Sequence, residues 1–453
     1  MRAKDLVLAA LHNEETPRVP WVPFVGCHAA NLIGVSADRF LQSADLIVQG
    51  VEKAIAEYRP DGLPALFDLQ LEAEAMGCRL HWSPNNPPAV ISHPLEDGKS
   101  LADLKIPGAE DGRFPEVLSA VRRICSGAGK DIAIYGLITG PFTLALHLMG
   151  TDIFYQMIDE PENVHALMEL TTQVNIATAR MYLDAGVDII AVVDPMTSQI
   201  SPQNFADFVT PYATRVFDFV HENGKPGTFF VCGNARNNIE EMCRCHADGL
   251  SIDENIPLDY VRDICRKYGL SFGGNIRLTV TMLFGTPADN VNDAMNCMEI
   301  GGTRGFILSP GCDMPFDVPQ ENVAAISALI HGEIACFMES SDPLGDVTVN
   351  LPDYTDPEHV YVDVVTLDSS SCAPCQYMME AVEHAAGVLG SRIVYQEHKI
   401  KSKEGIVAMK ELGVTNLPTI VIDGVVSFIS VIPDEATFIK ALNEAMAKKN
   451  IQD

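Results

Sequence analysis

From residue 17 to about residue 330, short β-branched and apolar runs alternate with longer stretches whose apolar positions recur every three to four residues. That alternation is the pattern of repeated βα units. The runs predict eight strands, at residues 19–26, 62–68, 131–140, 187–195, 227–233, 249–254, 270–276 and 305–312, and the stretches 161–185, 201–223 and 286–300 predict amphipathic helices between them. Eight parallel strands closed on themselves form a (β/α)8 TIM barrel, so the expected class is α/β. A doubly wound open sheet is the weaker alternative, because no Gly-rich dinucleotide turn follows the first run. Past residue 338 the pattern changes. Residues 339–357 open on small polar residues with Pro343 and Gly345 and are expected as a linker; residues 358–453 then read strand, helix, strand, helix, two strands and helix.

Composition narrows the function classes. Among 453 residues, 31 Lys and Arg face 61 Asp and Glu, a formal net charge of −30. Such a chain repels phosphate backbones and anionic headgroups, and it contains no basic run to overcome this, so neither nucleic acid nor membrane is an expected partner. Residues 132–150, the most apolar stretch, are nearly long enough to span a bilayer, but Gly136, Gly140, Pro141, Thr143 and His147 divide them into an expected strand, loop and buried helix. The first residues lack the apolar core of a secretory signal, and the protein is expected in the cytoplasm. There its 12 cysteines should stay reduced, each a buried hydrophobe, a metal ligand or a redox group.

The sharpest local signal is Cys372-Ala373-Pro374-Cys375 at a predicted strand-to-helix turn. A helix N-terminus and a neighbouring sulfur both favour a thiolate. With Leu417-Pro418-Thr419 preceding a later strand, this segment resembles the thioredoxin superfamily. The resemblance implies Cys372 as attacking thiol, Cys375 as resolving thiol and Pro418 as a surface for the target backbone. Ser370 and Ser371 stand where an aromatic usually precedes the first cysteine. A structural cysteine pair and half of a zinc site are the other readings.

In the barrel, chemistry belongs at the C-terminal strand ends. There stand Cys27 and His28, Asp68 followed by Glu72 and Glu74, Asp194, Cys232 with Asn234, Asp253 and Glu254, Asn275, and Cys312. Cys232 and Cys312 would face the same mouth, and two thiolates with a histidine or carboxylate make an open tetrahedral zinc site. Asp194, Asp253 and Glu254 read equally as ligand-binding or acid–base groups and as helix caps. The cluster Cys243-Arg244-Cys245-His246 puts its cysteines on different helix faces and reads as structural. Cys78, Cys125, Cys265, Cys297 and Cys336 fit packing roles.

The ordered set LEAEAMG at 71–77, GPFTLA at 140–145, VDP at 193–195, VCGN at 231–234, SIDE at 251–254 and SPGC at 309–312 resembles the uroporphyrinogen decarboxylase superfamily. It is most similar to the corrinoid-dependent methylcobamide:coenzyme M methyltransferases. That resemblance implies methyl transfer between a methylcobamide on a corrinoid protein and a small thiol, with zinc activating the thiol. The branch's His-x-Cys and distant Cys fall on Phe230, Cys232 and Cys312, and Phe230 cannot ligate. Either Cys27, His28, Glu72 or Glu74 completes the zinc set, or the site has lost zinc and the cysteines act as thiols. Phe142, Asp194, Asn234 and Asn275 are expected to line the pocket. No arginine occurs in residues 21–28 to grip a polycarboxylate, which disfavours the decarboxylase alternative. A further alternative is a redox relay on a barrel without catalysis.

Overall fold

The computed structural model describes residues 1–334, 344–345, 347–370 and 372–449. The chain divides into two compact units, Met1–Ser341 and Asp342–Asp453. In the first, seven parallel strands form one sheet in chain order: β1 Gly62–Pro64, β2 Ala133–Thr139, β3 Ile189–Val193, β4 Gly227–Val231, β5 Gly249–Ile252, β6 Ser271–Ile276 and β7 Phe306–Pro310. Nearly every strand residue is buried, as parallel strands covered by helices require. The apolar stretch resolves into β2 and the buried helix Pro141–Met149. Among the described residues, no helix is long and apolar enough to cross a membrane.

The strand expected at 19–26 does not form. Pro20 and Pro23 have no N–H to donate, and Gly26 turns the chain at φ +29°. Residues 20–22 nonetheless lie between the two sheet edges. The Leu308 N–H donates to the Pro20 carbonyl and the Val22 N–H to the Leu308 carbonyl, each at 2.9 Å, while the Asp61 N–H donates to the Trp21 carbonyl at 2.8 Å. Arg18 grips both oxygens of Asp61 at 2.6 and 2.7 Å, and Asp61 also accepts from the Trp21 N–H at 2.9 Å. The ring therefore has seven regular staves and one irregular one. Phe24, Phe67, Tyr135, Leu137, Val193 and Phe230 fill its interior.

The second unit is a four-stranded sheet of β8 Val360–Thr366, β9 Ile393–Lys399, β10 Thr419–Ile422 and β11 Val425–Ile429, in the order β9-β8-β10-β11. Only β8 and β9 pair in parallel. Val362, Val364, Met378, Val382, Ile420, Phe438 and Leu442 join the sheet to helices Ala373–Leu389 and Glu435–Lys448. Part of the expected linker belongs to this unit: the Tyr354 hydroxyl donates to Asp363 at 2.7 Å and its ring meets that of Tyr361 at 6.4 Å. Residues 335–343, with Cys336, and positions 346 and 371 fall outside the described residues.

Candidate functional site

Cys232 directly follows β4 and Cys312 follows β7, so both stand at the C-terminal end of the ring. Their Cα atoms are 6.2 Å apart and the sulfurs are joined as a disulfide. Both are partly exposed. The loop after β5 braces the two positions. Asp253 accepts from the Gly233 N–H at 2.8 Å, next to Cys232. On the other side Gly311 lies so close to this loop that a Cβ there would stand 2.7 Å from the Glu254 nitrogen. Glu254 itself accepts from the Leu278 N–H. Burial, reinforced by the neighbouring charge of Asp253, pushes Glu254 up to about 8, and burial raises Asp253 as well.

Several expected site residues are tied into the frame of the ring. The Asn275 amide donates to the carbonyls of Asp253 at 3.1 Å and Ile256 at 2.8 Å, and so holds the bracing loop. Asp194 is fully buried and accepts from the Phe142 N–H at 3.1 Å, the Thr143 N–H at 2.7 Å and the Thr143 hydroxyl at 2.6 Å. It caps the start of helix Pro141–Met149 from the next strand, and burial lifts its pKa to about 6. Gly140 makes room for it, since a Cβ there would fall 2.3 Å from the Asp194 Cβ. Phe142 is sealed inside against Phe154, with ring centroids 6.4 Å apart. Of the expected pocket residues, Asn234 remains partly exposed at the mouth.

The groups expected to complete a zinc set are committed elsewhere. His28 is 1% exposed; its Nε2 meets the Tyr58 hydroxyl at 2.7 Å and its Nδ1 the Phe316 carbonyl at 3.1 Å. Burial lowers its pKa. Glu72 is buried and accepts from the Thr139 N–H at 3.2 Å and its hydroxyl at 3.1 Å, with a pKa raised by burial to about 7. Glu74 pairs at 2.6 Å with Arg113, which also holds Asp68 at 2.6 Å and covers the Trp82 ring at 4.9 Å. Cys27 is buried. Phe230 points into the ring, 4.9 Å from Phe24 and 5.9 Å from Phe67. No three His, Cys, Asp or Glu side chains among the described residues come together as a metal would need. Among the described residues no third His, Cys, Asp or Glu joins Cys232 and Cys312 as a metal set, and this donor set does not fit zinc.

Sequence reasoning missed the Arg113 bridge and the bracing by the loop after β5. Arg113 lies 39 residues from Glu74 and 45 from Asp68, and nothing in its local sequence marked it. In the second unit Cys372 precedes helix Ala373–Leu389 and is partly exposed, while Cys375 is fully buried. The two are joined as a disulfide with Cα atoms 5.2 Å apart. The Leu417–Pro418 peptide is cis, and the Pro418 carbonyl accepts from Ser430 at 2.8 Å.

The uroporphyrinogen decarboxylase (URO-D) family model matches residues 2–332. The methylcobamide:CoM methyltransferase MtbA of Methanosarcina acetivorans is 26% identical over 326 residues, covering 71% of this chain and 95% of the relative. A uroporphyrinogen decarboxylase of Anaeromyxobacter dehalogenans is 26% identical over 342 residues, 72% of this chain and 97% of the relative. A solved methyltransferase from Methanosarcina mazei superposes with a TM-score of 0.68 at 25% identity, covering 74% of this chain and all of the other.

Proposed function

Since the chain belongs to the uroporphyrinogen decarboxylase family, we propose that its first unit transfers a methyl group between a methylcobamide, carried on a separate corrinoid protein, and a small thiol. What supports this reading is the braced mouth of the ring, where the loop after β5 holds Glu254 beside Gly311, in a chain 26% identical to a methylcobamide:CoM methyltransferase over 95% of that relative. In the forward direction the thiol sulfur attacks the methyl carbon in line. The sulfur–carbon bond forms as the cobalt–carbon bond breaks, and the bonding pair stays with cobalt. The thiol proton goes to Glu254, whose pKa of about 8 lies close to that of an ordinary thiol, ~8.5. No step passes through zinc.

Two arginines of the first unit are committed to its own carboxylates and are not offered to a polyanion, which favours methyl transfer over decarboxylation. Arg18 is held by Asp61, and Arg113 by Asp68 and Glu74. The test is the visible spectrum of methylcobalamin incubated with the protein and a panel of thiols. We expect demethylation that rises with pH until Glu254 is ionised near 8, and a Glu254→Gln rate about 10²-fold lower that no longer follows that limb. Demethylation by no thiol, or a variant as fast as wild type, rejects the reading.

For the second unit we propose a thioredoxin-like dithiol domain. Its βαβαββα order, partly exposed Cys372, buried Cys375 and cis Pro418 support that role. Cys372 attacks a target disulfide and Cys375 resolves the mixed intermediate. Cys375→Ser should therefore accumulate a mixed disulfide at Cys372, with no such adduct in Cys372→Ser. The identity of the captured peptide names the target.

A further inference from the structure

We propose that Cys232 and Cys312 form a redox-active dithiol/disulfide centre in the mouth of the first unit, in place of the metal site that the resemblance implies. The two residues belong to strand ends that are not neighbours in the sheet and lie 80 positions apart in sequence, yet their Cα separation of 6.2 Å falls inside the range a disulfide spans. The third ligand position is filled by Phe230, turned into an aromatic cluster with Phe24 and Phe67. His28, Glu72 and Glu74 are held by Tyr58, Thr139 and Arg113. At the mouth Cys232 and Cys312 present a pair of sulfurs that can bond to each other.

Exposure separates this pair from most other cysteines of the unit. Cys27, Cys78, Cys243, Cys245, Cys265 and Cys297 are buried, whereas Cys232 and Cys312 are both reachable from solvent, as exchange requires. The Asp253–Gly233 hydrogen bond and the packing of Gly311 on Glu254 hold the backbone on both sides through groups that do not involve sulfur. Making or breaking the bond thus leaves the bracing in place.

The exchange is a two-electron reaction with a dithiol as reductant. One thiolate of the dithiol attacks a ring sulfur; a mixed disulfide forms and the Cys232–Cys312 bond breaks, its electron pair leaving on the other cysteine. The second thiolate of the dithiol then attacks the mixed disulfide and releases the remaining cysteine. The dithiol ends as a disulfide, and its two protons end on Cys232 and Cys312. The assignment stands on the geometry of the ring and does not require the methyl-transfer reading.

Full-length protein purified without oxygen is equilibrated with graded ratios of reduced to oxidised dithiothreitol, trapped by alkylation, digested and mapped by mass spectrometry. The peptides carrying Cys232 and Cys312 should be linked at low ratios and become alkylated together, half-reduced at one common ratio, separately from the Cys372 and Cys375 peptides. In Cys312→Ser, Cys232 should stay open to alkylation at every ratio. The proposal is overturned if both peptides remain alkylated in excess oxidised reagent, or respond at different ratios. It is equally overturned by stoichiometric zinc that Cys232→Ser releases. The wild-type map alone decides the first two outcomes, so a misfolded variant cannot obscure them.

Discussion

At the residue scale, the mouth of the ring owes its shape to buried carboxylates whose partners lie far away in sequence. Asp194 takes three hydrogen bonds at the start of a neighbouring helix. Asp194→Ala should therefore cost stability, by about 1–3 kcal/mol, and chemical denaturation will measure it. Gly140→Ala should have a similar effect, because its Cβ would displace the same carboxylate. Glu72 adds a pH dependence. Its pKa is raised in the folded state from an ordinary 4.5 to about 7. Below about 4.5 both states hold the proton; between 4.5 and 7 the unfolded chain releases it first, and stability falls as pH rises. Relative to wild type, Glu72→Gln should gain stability over that window, up to about 3 kcal/mol, and level off above it, as melting of the two proteins across pH will read out. These roles were hidden in the sequence, which shows a carboxylate at a strand end but not the N–H groups another strand brings to it. Cys232 and Cys312 were legible as neighbours because two strand ends of one barrel meet at one mouth. The commitments of His28 to Tyr58 and Glu74 to Arg113, which remove the zinc set, were not.

Elements were easier to read than side chains. Continuous apolar runs marked the seven strands of the parallel sheet, since strands buried on both faces have no polar positions to blur the pattern. The run at 19–26 has the same apolar content, but two prolines remove the donors a ladder needs. In the second unit, alternation and turn residues placed all four strands and three helices. The error there lay at the margin, where a polar stretch expected as linker instead anchors through Tyr354 to Asp363 in the middle of β8. Tyr354→Phe should lower the stability of that unit by about 1 kcal/mol and leave melting of the first unit unchanged, which differential scanning calorimetry can resolve.

On the scale of the whole molecule, each unit has its own apolar core. Residues 347–449 expressed alone should therefore give a cooperative melt and the circular dichroism of a mixed α/β sheet; a random-coil spectrum would contradict this. The ring of the first unit has a different vulnerability. A closed sheet has no free edges, but this closure depends on three backbone hydrogen bonds to a proline-flanked segment held by Arg18 and Asp61. Remove that segment, by cleavage ahead of Cys27 or by heat, and β1 and β7 become apolar edges facing outward. Exposed edges of that kind recruit other strands. The segment that looks least like a strand is thus the one that covers both edges of the sheet.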